Sequence, residues 1–286
     1  MNVLVLNAGS SSQKSALYRF GDALPDAAPT PVWEAHADGP QLKVRTAEGE
    51  THTETLPSAL PAEALPRLLE TLWRGPTRVI ESSADVAVVG HRVVHGGRSY
   101  REPTRLTPEV EADLAGLSEL APAHNPAALA GIRVARETFG HAPQVAVFDT
   151  AFHATLPDAA AVYPGPYRWA EGGLRRYGFH GISHRYCAER AAELLGRPLA
   201  ELRLVTCHLG NGCSLAAVKG GRSVDTTMGF TPLEGLMMGT RSGSVDPGLL
   251  LYLMREEGLS ADELSGVLNR ESGLKGLSGL SGDLRE

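Results

Sequence analysis

The stretch from His208 to Pro247, HLGNGCSLAAVKGGRSVDTTMGFTPLEGLMMGTRSGSVDP, constrains the chain more than any other. Glycine stands at 210, 212, 220, 221, 229, 235, 239 and 243, and the few charges between are Lys219, Arg222, Asp225, Glu234, Arg241 and Asp246. A segment this rich in glycine lets backbone amides approach a ligand with no Cβ in the way. It can form tight turns, or bring backbone amides close to an anion as a nest. The glycines alone leave two readings level: a phosphate cradle with Arg241 beside it, or a run of plain hairpins.

The apolar run Leu202–Leu209 enters this stretch, turns at Gly210-Asn211-Gly212 and returns as Ser214–Val218. The N-terminus follows the same plan. Val3–Leu6 reads as a strand buried on both faces, the loop Asn7-Ala8-Gly9-Ser10-Ser11-Ser12 follows, and Ser15–Phe20 returns. Three serines and Lys14 supply hydroxyl donors and a cation at that tip, a combination suited to phosphate oxygens. Two such hairpins, each opening a half of the chain, point to duplicated α/β domains, 1–150 and 151–286, with one ligand between them.

Other segments fit that frame. Pro61–Arg74 carries Leu65, Leu68, Leu69 and Leu72 at helical spacing. Asp85–Val94 reads as a buried strand, and Arg92 inside it needs a cleft or a partner, which makes it a candidate anion ligand. Thr107-Pro108 and Asn125-Pro126 start helices, the latter running to Phe139 before Gly140. Asp149 ends the strand Val145–Phe148, at the carboxyl edge where open α/β sheets carry functional groups. Ser183 is the expected N-cap of a helix to Leu195, with His180 close to its free amides. Asp246-Pro247 caps another helix, and Ser260 with Glu263 forms a capping box. The last residues, Gly279–Glu286, read as a helix just beginning.

Composition excludes several classes. With 42% hydrophobic and 21% charged residues the chain reads as an ordinary soluble globular protein, and a formal charge of −6 argues against non-specific nucleic-acid or anionic-membrane binding. Three cysteines, Cys187, Cys207 and Cys213, form no CxxC pair and suit a reducing cytoplasm. His91/His95 and His180/His184 are spaced by four, yet neither pair carries the HExxH glutamate or a suitable helical context, so zinc is not expected.

Eight segments, NAGSSSQK (7–14), GHRVVHGG (90–97), LAPAHNP (120–126), FDTAFH (148–153), RRYGFHG (175–181), HLGNG (208–212), MGFTPLEGLMMGTRSG (228–243) and SGLSGDLR (278–285), together resemble acetate kinases in order and spacing. The resemblance implies the acyl-phosphate branch of the sugar-kinase and actin superfamily: two RNase H-like domains flanking a cleft, the second incomplete. It implies a cytoplasmic homodimer that exchanges phosphate between ATP and acetate, forming acetyl phosphate and ADP, with Mg2+ or Mn2+. Asn7 would assist the metal, and Ser10, Ser12 and Lys14 would lie by the phosphates of ATP. Arg92 would hold the carboxylate, Asp149 would be the active-site acid/base, and His180 and Arg241 would stabilise the transition state. His208, Leu209, Gly210, Asn211 and Gly212 would cradle ATP phosphates, and Asp283, Leu284 and Arg285 would touch the nucleotide. Val94, Ala123, Phe179 and Pro232 would line the acyl pocket.

Ala123 stands where the family usually carries leucine, which predicts easier acceptance of propionate. Family members also continue for about a hundred further residues, a span typical of a domain. The resemblance places an adenosine-binding glycine motif, a second metal ligand and the closing helix of the first domain there. The alternatives are therefore a propionate or butyrate kinase, or a truncated, non-catalytic remnant that binds carboxylate or phosphate.

Overall fold

The computed structural model of the protein describes all residues except 10, 11, 24, 26–28, 57, 59, 60, 122 and 123. The chain divides into two compact units, Met1–Phe148 and Asp149–Glu286.

In the first unit, β1 (Asn2–Ala8), β2 (Ser12–Arg19), β3 (Trp33–Asp38), β4 (Gln41–Thr46) and β5 (Thr51–Thr55) form an antiparallel meander. After helix α1 (Pro61–Glu70), β6 (Val86–Val93) pairs with β1 in parallel. The edge strand β7 (Thr104–Arg105), helices α2 (Pro108–Gly116) and α3 (Asn125–Thr138) and strand β8 (Gln144–Phe148) complete the unit. The sheet order is β5-β4-β3-β2-β1-β6-β8-β7.

Side-chain alternation decides which face is covered. Leu4 and Leu6 of β1, Leu17, Trp33 and Leu42 point to the face where Leu65, Leu68, Leu69 and Leu72 pack with Phe139. Burying each leucine contributes roughly 1.5–3 kcal/mol. Val5, on the opposite face, is 37% exposed, which corrects the expectation that β1 is buried on both sides. A wholly apolar run cannot report a one-sided sheet, because strand periodicity is visible only where polar residues alternate.

The leucine-rich helix also ends earlier than its spacing predicts. The chain tightens after Glu70, where the Trp73 amide donates to the Glu70 carbonyl three residues back at 3.2 Å and the Thr71 hydroxyl donates to the Leu68 carbonyl at 2.8 Å. Leu72 remains fully buried. The start of α2 agrees with its sequence signal: Thr107 Oγ1 accepts from the Val110 amide at 3.3 Å, and Pro108 follows it.

The second unit opens with a single 3-10 turn (Ala151–Thr155) and two short helices, α4 (Asp158–Ala161) and α5 (Tyr167–Glu171). Helix α6 (Gly181–Leu195) precedes a three-stranded antiparallel sheet of β9 (Arg203–Leu209), β10 (Cys213–Lys219) and β11 (Arg222–Thr226), ordered β11-β10-β9. The β9–β10 hairpin closes through Gly210-Asn211-Gly212, with the Gly210 amide donating to the Gly212 carbonyl at 3.0 Å. Helices α7 (Pro247–Glu256), α8 (Ala261–Gly266) and α9 (Gly273–Ser278) follow, the first two capped by Asp246 and by the Ser260–Glu263 box.

Two further expectations are corrected here. Helix α6 starts at Gly181 with His180 as its N-cap, so Ser183 lies inside the first turn. No helix begins at Gly279. That residue closes α9 in the left-handed region at φ 68°, its amide returning to the Lys275 carbonyl at 2.9 Å, and turns follow. Among the described residues no helix is long and apolar enough to cross a membrane.

Candidate active site

In the first unit, the register of β1 against β2 sets Asn7 directly opposite Lys14. Parallel pairing of β1 with β6 then brings Arg92 alongside, and its Nη1 donates to Asn7 Oδ1 at 3.0 Å. The arginine that looked expensive inside an apolar strand is thus half-buried and held by a carboxamide. Asn7 and Lys14 also line a groove of about 540 Å³ on the less covered sheet face, with Tyr18, His36 and Lys43. Val94, just past β6, is buried. The tip is closed by the Gly9 amide donating to the Ser12 carbonyl at 2.7 Å, while Ser10 and Ala123 lie outside the described residues.

In the second unit the remaining residues gather around His180. It is the one non-glycine residue at positive φ among those described, at 58°. That conformation is unfavourable by roughly 1–2 kcal/mol for an L-residue with a Cβ and persists only where surrounding contacts hold it. Three contacts do so. The Gly181 amide donates to the Asp149 carbonyl at 2.8 Å, buried His153 Nε2 meets the Phe179 carbonyl at 3.0 Å, and His180 Nδ1 meets Ser214 Oγ at 2.9 Å. Phe179, the preceding residue, and Asp149, whose carbonyl takes the Gly181 amide, are both buried.

The His180 ring stacks on His208 with centroids 3.9 Å apart and planes 18° from parallel. His208 Nδ1 is paired with Ser183 Oγ at 3.0 Å, the hydroxyl left available because it does not cap the helix. Gly212 faces His180: a Cβ there would sit 3.5 Å from His180 Cε1 and 3.5 Å from Arg241 Nη1. The hairpin backbone therefore lies against a histidine and an arginine at once. Arg241 Nη1 donates to the Pro232 carbonyl at 3.2 Å, and burial pulls its pKa down from the usual guanidinium value. The Gly239 amide donates to the Asn211 carbonyl at 3.1 Å, tying the arginine loop to the β9–β10 turn.

Leu209, at the end of β9, is 74% exposed. The C-terminal segment passes this loop at Gly282, where a Cβ would sit 2.9 Å from the Gly239 carbonyl. Beyond it Asp283 and Arg285 pair with each other, and that hydrogen bonding lowers the Asp283 pKa to about 2; Leu284 is exposed. Histidine, Arg241, a glycine hairpin and the 282–285 segment thus adjoin within one unit, and such a set of donors can neutralise charge spread over phosphoryl oxygens.

Sequence reasoning missed the scaffold beneath these groups. Tyr163 and Arg176 converge on Glu234: the Tyr163 hydroxyl donates to Glu234 Oε2, and Arg176 Nη2 donates to Oε1 at 2.7 Å. Arg176 also donates to the carbonyls of Ala160, Thr227 and Met228, and the Phe230 amide donates to the Tyr163 hydroxyl at 2.8 Å. Burial first, and Glu234 second, push the Tyr163 pKa up to about 12. Glu234 is one of few charges in the glycine-rich stretch, a signal that could have marked it. His184 and Ser214 were also missed in this role: His184 bonds hydroxyls at both ring nitrogens, Thr206 at 2.8 Å and Ser214 at 2.8 Å.

Among the described residues no group of three histidine, cysteine or acidic side chains could hold a metal. A divalent ion bound through one or two protein oxygens and substrate phosphates, with water completing its shell, needs no such group. Asn7 Oδ1 accepts from Arg92 and, as a carbonyl oxygen, keeps a second lone pair for such an ion or its water.

Comparison with known proteins gives one answer. Residues 2–286 match the model of the acetokinase family. The acetate kinase of Gloeobacter violaceus is 61% identical over 293 residues, spanning 100% of this chain and 72% of that protein. The acetate kinase of Trichormus variabilis is 59% identical, spanning 99% of this chain and 72% of that protein. Among solved structures, the acetate kinase of Porphyromonas gingivalis superposes with a TM-score of 0.87 at 42% identity, covering 100% of this chain and 71% of that one. A propionate kinase from Francisella tularensis does so with a TM-score of 0.87 at 36% identity, covering 99% and 71%.

Proposed function

The chain belongs to the acetokinase family, and on that premise we propose that it transfers a phosphoryl group reversibly between ATP and acetate. One carboxylate oxygen of acetate attacks the γ-phosphorus, the bond to the ADP oxygen breaks in line, and acetyl phosphate and ADP leave. The observation that carries this assignment is the cluster of His180, Gly212 and Arg241, where a strained histidine and a half-buried arginine face the same hairpin backbone.

The chain's own residues supply position and charge. Arg92 binds the acetate carboxylate, with Asn7 orienting its guanidinium. Val94, Phe179 and Pro232 are assigned to recognition of the acyl group, as is Ala123, which lies outside the described residues. Arg241 and His180 neutralise the charge on the equatorial oxygens of the transferring phosphoryl, in the manner of an oxyanion site. His208, Leu209, Gly210, Asn211 and Gly212, together with Asp283, Leu284 and Arg285 of the same unit, are assigned to the nucleotide, and Ser10, Ser12 and Lys14 of the first unit are assigned to its phosphates. Acetate is ionised at neutral pH, so no strong base is needed. Asp149, buried next to the His180 loop, acts through its electrostatic field. A divalent ion, with Mg2+ as the natural candidate, neutralises phosphate charge when bound with the nucleotide.

Residues 1–150 form the N-terminal RNase H-like domain in this assignment and 151–286 the nucleotide-binding one. The duplicated hairpins, β1–β2 and β9–β10, support that division. Three thiols without a bridge suit a cytoplasmic protein, and a homodimer is the expected assembly. A hydroxylamine trap tests the activity: with ATP, Mg2+ and acetate the protein should yield acetohydroxamate, and Arg241→Ala should lose it by about 10²–10³-fold. A folded protein that yields none under these conditions refutes the proposal.

A further inference from the structure

The residues beneath His180 form an ordered chain of hydrogen bonds with a chemical consequence. Ser214 is fully buried on β10, and its Oγ lies 2.9 Å from His180 Nδ1 and 2.8 Å from His184 Nε2. His184, 1% exposed and one turn further along α6, places its Nδ1 2.8 Å from Thr206 Oγ1. Each hydroxyl carries one proton, and each neutral imidazole donates from one nitrogen and accepts at the other. The four side chains can therefore pass protons in one direction or in the reverse, and His180 takes a different tautomer in each.

Only one direction lets neutral His180 serve an anion. The Thr206 hydroxyl donates to His184 Nδ1, His184 Nε2–H donates to Ser214 Oγ, and the Ser214 hydroxyl donates to His180 Nδ1. His180 Nε2 then carries the proton. That nitrogen faces the hairpin, 3.6 Å from where a Cβ on Gly212 would sit, and Arg241 Nη1 lies 3.5 Å from the same point. The reverse direction leaves Nε2 bare, so His180 could donate only as an imidazolium, a second cation beside Arg241 and stacked on His208. The Ala216 carbonyl is 3.5 Å from Thr206 Oγ1, too long to impose that reverse order. Burial holds His184 neutral, with its pKa lowered to about 4, so it stays a one-donor, one-acceptor link across physiological pH.

We propose that Ser214, backed by His184 and Thr206, is a positioning residue that fixes His180 as the Nε2–H tautomer, a neutral donor to the transferring phosphoryl group. The left-handed backbone at His180 belongs to the same device. It directs Nδ1 into the buried hydroxyl and keeps Nε2 on the hairpin side. Ser214 touches no substrate, and its effect passes through the histidine.

The role of the tautomer rests on the phosphotransfer assignment, whereas the tautomer itself does not. Nitrogen-15 spectra of the histidine rings at neutral pH read it directly, with His180 identified by the signals lost in His180→Gln. The expected wild-type pattern is a protonated Nε2 and an unprotonated Nδ1. Ser214→Ala should give a mixed tautomer population and lower kcat by about ten- to a hundredfold, less than the roughly 10²–10³-fold that losing an oxyanion donor outright costs, because part of the population keeps the right tautomer. KM for acetate should stay within about twofold, because only a transition-state contact is removed. Thr206→Val, which keeps the side-chain shape, should shift the same signals and lower kcat a fewfold. A wild-type His180 protonated at Nδ1 overturns the proposal, as does a Ser214→Ala protein that keeps both tautomer and kcat. If no acyl phosphate were formed at all, the phosphotransfer assignment would fall and the ring spectra would still decide the tautomer.

Discussion

Replacing Arg176 by methionine should remove the brace of the arginine loop while keeping most of its volume. Arg176 makes four hydrogen bonds, three to the carbonyls of Ala160, Thr227 and Met228 and one to Glu234 at 2.7 Å. Its side chain is 18% exposed and that of Glu234 32%, so the pair is neither fully desolvated nor fully screened. Breaking a buried pair costs about 3–5 kcal/mol, mostly by stranding the partner charge. Partial access of water to Glu234 brings the expected loss to about 3 kcal/mol, or roughly 10 °C in Tm for a domain of this size. Glu234→Gln keeps the geometry with a neutral acceptor and should cost only about 1 kcal/mol. Urea midpoints at constant slope measure both, and the cycle with the double mutant should show a coupling of about 1–2 kcal/mol. Pro232 and Arg241 ride on the same loop, so KM for acetate should rise as well. Additive losses, with coupling below about 0.5 kcal/mol, would refute the idea of a brace.

Three further outcomes follow from other features. A methyl group at Gly229 would overlap the Glu234 carboxylate and the Tyr163 hydroxyl, so Gly229→Ala should destabilise the second unit about as much as Arg176→Met, read by the same urea titration. Burial lowers the pKa of His91 and His95 in the first unit and of His153 and His184 in the second to about 4, below the ordinary 6.5. Their contribution is therefore present above pH 6.5 and lost as pH falls toward 4. Each unit should take up roughly two protons on unfolding near pH 5, a slope of ~2–3 kcal/mol per pH unit in the unfolding free energy obtained from urea titrations at several pH values. Ala123→Leu should turn the preference between propionate and acetate toward acetate by about 10-fold or more in kcat/KM, since one methylene is worth ~1–3 kcal/mol. An unchanged ratio in competition assays would refute the role proposed for Ala123.

Local chemistry was enough to find much of the frame and the outline of the site. Caps at Thr107, Asp246 and Ser260 appear where hydroxyl or carboxylate residues precede helical patterns, because the partner amides lie two or three residues away. Both hairpins were legible because apolar runs flank small polar loops. Arg92 stood out as a charge in a strand, and its contact with Asn7 lies across the sheet from it. Segment order carried the family, since eight motifs at fixed spacing do not arise from composition.

Tertiary structure decided what depends on distant partners. Ser183 looks like an N-cap in sequence, yet the Asp149 carbonyl takes the Gly181 amide, the helix starts two residues earlier, and Ser183 turns to His208. Val5 is indistinguishable from Leu4 and Leu6 in an apolar run, and only the placement of α1 and α3 on one face separates them. Tyr163 and Glu234 are 71 positions apart, and Ser214 lies 34 from His180 and 30 from His184. A hydroxyl can donate or accept, and a histidine can do either at each nitrogen, so neither role is written in the residue type. The sequence by itself determined the hairpins, the caps and the membership of the family. The strained backbone of His180, the nitrogen it presents and the brace under Arg241 exist only once the fold has brought their partners within hydrogen-bond reach.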